Sequence, residues 1–178
     1  MDTQKVNDPF PLLKGTYEDA LKMIGKPGKL TFAEFAVNQD MIKNYCAMVE
    51  DKNLSYWDEA YSKKQWGGLV APPGMLLAWP MALVWRPDKV RDHYFISINV
   101  PFPGTTLINV GTESEFLKPV YVGDNLNVYD ELVSISQEKK TRLGTGHFLK
   151  TRATFRNQKG EVVAVRINNM FRYTPAEE

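Results

Sequence analysis

One cysteine, two histidines and an almost even charge balance are what this 178-residue sequence has least to offer chemistry with. Cys46 alone closes no internal disulfide, and no CxxC pair or Cys/His cluster supplies metal-ligand spacing, so the expectation is a cytoplasmic protein with no metal centre. Lys+Arg 22 against Asp+Glu 21 leaves a net charge of +1. No global field therefore draws a polyanion, and neither nucleic acid nor an anionic membrane is an expected partner. Long hydrophobic runs are also missing. The most apolar stretch, residues 69–85, contains Pro72, Pro73 and Pro80 and falls short of the roughly 20 residues that span a bilayer, so it reads as buried. The opening MDTQKVNDPFPLLKG is polar and broken by prolines, unlike a secretory leader. No repeat, low-complexity tract or Gly/Ser linker marks a boundary, and one domain over residues 1–178 is expected. With 43% hydrophobic and 24% charged residues the composition is that of an ordinary globular chain.

The hydrophobic pattern divides the chain into two halves. Thr16, with Asp19 three residues later, signals the start of a short helix over residues 16–24 that Gly25 closes. Residues 30–37 read as a strand. Asn38 caps a helix over residues 39–50 whose Ile42, Tyr45, Cys46 and Val49 recur at helical spacing. A polar loop over 51–55 precedes another short helix over 58–65. After Gly67-Gly68 and Pro72-Pro73, GMLLAWPMALVW is apolar on every side, as expected of a helix enclosed by other structure, with a kink at Pro80. Beyond His93 the segments 93–100, 106–117, 125–136, 143–156 and 161–173 are rich in Val, Ile, Thr, Phe and Tyr and read as strands of an antiparallel meander. Residues 156–161 form a tight hairpin. In the 143–156 strand, Leu149, Thr151, Ala153 and Phe155 share the face expected to be buried. Helices followed by long antiparallel strands give an α+β order in which a sheet wraps a central apolar α-helix, the hotdog fold.

Four segments carry a resemblance. DKNLSYWD, from Asp51 to Asp58, resembles the D-x-N-P-x-H-x-D signature of MaoC-like (R)-specific enoyl-CoA hydratases and FAS1-type dehydratase domains. GGLVAPPGMLLA (67–78) resembles the family's loop into the hotdog helix, FLKPVYVGDNL (116–126) its strand entry, and GEVVAVRINNMFRY (160–173) its closing strand. Together they cover roughly residues 16–173. The resemblance implies a 2-enoyl thioester substrate carried on CoA, no further cofactor, and water added by an Asp/His pair while a backbone N–H at the start of the helix holds the oxyanion. Carried across, the acid is Asp51, the oxyanion donor is Gly74, and Asn53 and Ala82 sit at substrate-facing positions. The histidine position is Tyr56. A phenol titrates near 10 and an imidazole near 6.5, so a phenolate base at neutral pH costs roughly 4 kcal/mol.

Three accounts stay open on this departure. In one, the chain is the non-catalytic half of a heteromeric hydratase, making room for a bulky acyl group such as a steroid side chain beside a hotdog partner that carries Asp and His. In another, it is a self-sufficient homodimer using Asp51, with Tyr56 as proton donor. In the third, it only binds an acyl thioester. A hotdog thioesterase is disfavoured because residues 74–85 contain no Asp or Glu. Each residue also has a plain structural reading: Asp51 and Asn53 as turn residues, Asp58 as an N-cap, Tyr56 and Trp57 as core or interface aromatics, Gly74 as a site of close packing. His93 and His147 read as structural or surface residues. Lys139, Lys140 and Arg142 form either a solvated turn or a contact for CoA phosphates.

Overall fold

A computed structural model describes residues 12–83, 85, 87–88 and 95–176. Its first helix, α1 (Tyr17–Leu21), begins at Thr16 with a full capping box, the Thr16 side chain accepting from the Asp19 amide while the Asp19 carboxylate accepts from the Thr16 amide. Helix α2 (Gln39–Met48) starts at the Asn38 cap and buries Ile42 and Cys46, whereas Val49 lies outside it and is exposed. Two short helices follow, α3 (Leu54–Trp57) and α4 (Glu59–Trp66), the second capped by Asp58 and closed by left-handed Gly67.

The sheet is antiparallel and its long members follow the expected strands. They are β2 (Thr106–Phe116), β3 (Asn127–Ile135), β5 (Gly144–Arg156) and β6 (Val162–Pro175), joined by the short strands β1 (Thr31–Phe32) and β4 (Lys139–Thr141). Leu149, Thr151, Ala153 and Phe155 are all buried, on the face anticipated from their alternation. At the β5–β6 hairpin the Asn157 amide donates to the Glu161 carbonyl and Gly160 adopts φ 76°, where a side chain would be strained.

Four expectations are corrected. The strand order is β1-β3-β5-β6-β2, so β2 lies against β6 at the far edge and the sheet is not a meander. A tight β2–β3 turn is ruled out because the connecting residues are engaged elsewhere: the Ala71 amide donates to the Val120 carbonyl and the Val122 amide to the Leu69 carbonyl. The strand expected over 30–37 pairs with β3 only at Thr31 and Phe32. It then bends so that Val37 reaches the core, while Phe32 and Phe35 remain 66% and 56% exposed. In place of a strand over 93–100, residues Ile96–Asn99 form a helical turn, α5. The Asp130 carboxylate accepts the Ile96 amide at its start, and Pro101 has no N–H to offer a neighbouring strand. The apolar helix expected after Pro73 is reduced, in its described residues, to a 3-10 turn, Pro73–Met75, extended by non-helical turns. Pro80 lacks an amide and its ring obstructs the carbonyl four residues earlier. Met75, Leu76 and Trp79 are nevertheless buried, so the segment keeps its core role without a regular helix.

Candidate functional site

The segments from 67 to 73 and from 116 to 126 are strapped together. Besides the two backbone bonds above, Val70 bridges Tyr121, the Tyr121 hydroxyl donates to the Trp66 carbonyl at 2.7 Å, and the Ser62 hydroxyl donates to the Gly68 carbonyl at 2.9 Å. Asp124 pins the far end, accepting from the Tyr121 amide at 2.8 Å and from the Gln158 side chain at 3.0 Å. Two stretches about fifty residues apart in sequence thus form one wall. Behind it lies a cavity of about 400 Å³ lined by Tyr56, Trp66, Pro73, Trp79, Phe116 and Val163 among others.

Asp51 follows α2. Its Oδ1 accepts from the Asn53 amide at 2.9 Å, its carbonyl accepts from the Trp57 indole at 2.6 Å, and Asn53 in turn accepts from the Ser55 amide at 3.0 Å. These bonds make a rigid Asx turn that presents the next helix. Asp51 borders a shallow surface groove with Glu50 and Lys52, whereas Tyr56 turns inward to the 400 Å³ cavity. The phenol is still within electrostatic reach of the acid. Its pKa is raised, first by burial and then by the Asp51 charge, with smaller contributions from Cys46 and Tyr45. Both causes oppose phenolate formation, so the Tyr56 hydroxyl keeps its proton at neutral pH.

Gly74 sits in the 3-10 turn, whose own bonds run from the Met75 amide to Pro72 and from the Leu76 amide to Pro73, leaving the Gly74 N–H outside both. Tyr45 explains why this position is a glycine: a Cβ on Gly74 would run into the Tyr45 hydroxyl oxygen. Tyr45 was not singled out from sequence except as an apolar-face residue of α2. Its spacing of six residues before Asp51 carries no motif, and only the packing reveals it. Asp51, Tyr56 and Gly74 therefore gather around the C-terminal half of α2, linked through Tyr45 and Cys46. Gly74→Ala is expected to cost about 1–3 kcal/mol by overpacking, and Tyr45→Phe in the same chain to restore most of it. Thermal melts of the single and double variants check this, and a double variant no more stable than Gly74→Ala would contradict it.

The remaining candidates lie apart. Ala82 is half-buried beyond Pro80, and lines neither the 400 Å³ cavity nor the larger one described next. Lys139, Lys140 and Arg142 are exposed at the β4–β5 hairpin, also away from both. His147 is buried, stacked 5.1 Å from Tyr17 and tilted against Phe102 at 4.7 Å, with Nδ1 3.0 Å from the Ser136 carbonyl, which is a structural role. His93 lies outside the described residues.

A larger cavity, about 770 Å³, opens over β2, β3, β5 and β6, on the sheet face that holds Asp130, Thr151 and Met170. Leu77, Phe95 and Ile98 form its apolar side, and Arg166 and Asn168 add polarity.

The family described as FAS1-like, dehydratase domain region, matches residues 23–166. The chain belongs to this family. Among curated proteins, this FAS1-like dehydratase domain is 30% identical over 160 residues to a "Probable enoyl-CoA hydratase alpha subunit" of Thermomonospora curvata, covering 86% of this chain and 49% of that protein. It is 29% identical over 128 residues to the "3-oxo-4,17-pregnadiene-20-carboxyl-CoA hydratase alpha subunit" of Mycobacterium tuberculosis, covering 69% of this chain and 40% of that one. The chain thus spans half or less of the length of these relatives. Among solved structures, the FAS1-like domain superposes with TM-score 0.75 and 24% identity on a chain of the ChsH1-ChsH2 complex from Mycobacterium tuberculosis, over 90% of this chain and 92% of the other. With the MaoC-like dehydratase from Rhodospirillum rubrum the TM-score is 0.57 at 20% identity, over 85% and 94% of the two chains. These likenesses establish the hotdog fold. Among the described residues no helix is long and apolar enough to cross a membrane.

Proposed function

We propose that this chain is a subunit of a cytoplasmic 2-enoyl-CoA hydratase, the half that accommodates a bulky acyl group, such as a steroid side chain, beside a hotdog partner that carries the Asp/His pair. The observation that carries the reading is the divergence of the two catalytic positions: Asp51 is spent on an Asx turn at a surface groove, while Tyr56 is a buried phenol with a raised pKa at a different cavity. The 770 Å³ cavity supports the second part, since it lies within the range of about 300–1,000 Å³ typical of ligand sites and is broader than a straight acyl chain needs. The names of the two curated relatives, both alpha subunits of hydratases, point the same way.

In this reading the partner's pair adds water across the double bond, a step that calls for no cofactor beyond the thioester itself. The Gly74 N–H remains the proposed oxyanion donor and Asn53 orders the turn beside the thioester, whereas Ala82, away from both cavities, has no part in this reading. Lys139, Lys140 and Arg142, away from both cavities, fit the solvated turn better than a contact for CoA phosphates. The electrostatic coupling between Asp51 and Tyr56 favours one alternative, a homodimer in which Asp51 orients water and Tyr56 donates the proton.

Co-expression with a hotdog chain containing D-x-N-P-x-H, followed by loss of enone absorbance with a bulky 2-enoyl-CoA, separates the two. The pair is expected to copurify and to turn over about 10²–10⁴-fold faster than this chain alone, with Asp51→Asn changing the rate little. Full turnover by this chain alone, abolished by Asp51→Asn, would establish the homodimer instead.

A further inference from the structure

Strand β2 carries one extra residue, Val110, between Asn109 and Gly111, and the Asn109 side chain closes this bulge by accepting the Gly111 amide at 3.0 Å. With its oxygen committed, Asn109 donates through Nδ2 to Thr112 Oγ1 at 2.9 Å, and the Thr112 hydroxyl donates in turn to Asn168 Oδ1 at 3.0 Å. Arg166 Nε donates to the same oxygen at 3.2 Å. Asn168 is thereby fixed with Oδ1 doubly occupied and Nδ2 turned the other way, because the reversed amide would set N–H against N–H at Arg166. The chain of bonds ends in donors alone. Asn168 Nδ2 and the two terminal nitrogens of Arg166 meet no acceptor among the described residues. No acid stands beside Arg166 in the sheet either, since its cross-strand neighbours are Ser114 and Ala153.

Arg166 and Asn168 are half-buried and line the 770 Å³ cavity, whose apolar walls include Leu77, Phe95, Ile98 and Leu107. Lys14 adds a second positive charge to the lining. Its one acid is Asp130, which is buried, with Oδ2 accepting the Ile96 amide at 3.1 Å. Burial pushes the pKa of that carboxyl up to about 7, so it is a weak counter-charge at neutral pH. A guanidinium edge and an amide nitrogen with nothing to donate to attract an oxyanion. We propose that Arg166 and Asn168 bind a carboxylate, so that the ligand of this cavity is an apolar acyl group bearing a free carboxylate remote from its thioester. The inference rests on the acyl-binding reading above and adds the charged group that the ligand carries. An uncharged thioester carbonyl, with one oxygen, uses only part of this donor set, whereas a planar carboxylate matches a flat row of N–H groups. The hydrocarbon walls around it suit an aliphatic body better than a nucleotide.

Calorimetric titration of the full chain with octanoate and octanamide at neutral pH tests this. The two share a shape, but the amide is uncharged and brings an NH₂ group to a row of donors. The wild-type chain is expected to bind octanoate at least about tenfold more tightly. Arg166→Gln and Asn168→Asp, each first shown by a melt to be folded, are expected to erase that ratio by weakening octanoate alone, the second because its own carboxylate occupies the guanidinium. Lys150→Gln, which removes one positive charge from an exposed position of β5, is expected to keep the ratio. Equal affinity in the wild-type chain overturns the inference and leaves the acyl cavity standing. A preference that survives in either folded site variant, or that Lys150→Gln abolishes as well, also overturns it. Displacement of octanoate by inorganic pyrophosphate overturns it in favour of a site for the CoA phosphates, and binding of neither octanoate nor octanamide overturns both the inference and the acyl-cavity reading.

Discussion

Arg172→Met is expected to lower the stability of the chain by about 3–5 kcal/mol, enough to drop the melting temperature by roughly 10 °C. The side chain lies on β6 between Phe171 and Tyr173 and is 0% exposed. Its guanidinium donates to three main-chain carbonyls, those of Leu13 at 2.7 Å, Val100 at 2.9 Å and Gly104 at 3.3 Å. No carboxylate pairs with it among the described residues, and burial lowers its pKa. Its role is that of a clamp which gathers the N-terminal segment and the 100–104 loop onto the sheet next to Phe102 and His147. Methionine fills a similar volume but removes the donor to the Val100 and Gly104 carbonyls, while the Leu13 carbonyl keeps the Phe102 amide. Arg172→Lys is no rescue, because a point charge with three donors lacks the planar fork that spans the three acceptors. Urea unfolding of the three proteins measures the effect. A loss below about 1 kcal/mol for Arg172→Met would mean that water or neighbouring amides satisfy those carbonyls without the guanidinium.

The second large effect concerns pH. With a folded pKa near 7 against an ordinary 3.8, Asp130 holds its proton more tightly folded than unfolded. The stability it contributes is therefore complete below the unfolded value and is lost as pH rises toward and through about 7. A shift of this size amounts to about 4 kcal/mol over the whole window. The groups around it fit that direction. Glu131 on the same strand raises the value further, while the Ile96 amide, the Thr151 side chain and the Glu131 amide oppose it. Arg166 and Lys14 are cations elsewhere on the wall of the same cavity. Melting curves from pH 4 to pH 8 for the wild-type chain and Asp130→Asn isolate the contribution: the difference between them should grow in favour of asparagine as pH rises and level off above neutrality. Parallel curves would show that the carboxyl titrates normally.

Alternation and capping, which depend on neighbours a few residues apart, were legible in the sequence. Thr16, Asn38 and Asp58 open helices as their side chains predict, and the burial of Leu149, Thr151, Ala153 and Phe155 follows from a period of two. The strand order was not legible, because the placement of β2 beside β6 is decided by long-range bonds from the 117–126 connection to residues 69–71. Composition misled over residues 96–99, where a β-branched pattern yields a helical turn once Asp130 supplies an acceptor for Ile96. It misled again after Pro73, where apolar character records burial and the prolines decide conformation. At the candidate site, the motif resemblance nominated Asp51, Tyr56 and Gly74, but Tyr45 emerged only from packing. Asp130 did leave a trace, a charged residue in register with Val128 and Leu132, as did Arg172 between two aromatics. Neither belongs to a motif, so a search by signature passes over both.

The β5–β6 hairpin has a bearing on how the molecule is made. Its two strands, of 13 and 14 residues, pair almost throughout across a turn only a few residues long, so they can zip together with little loss of loop entropy. Strand β2, by contrast, must wait for a partner that emerges from the ribosome some fifty residues later. During synthesis the freshly formed ribbon presents one side of β6 as an open template, and the waiting segment must reach it before another chain does.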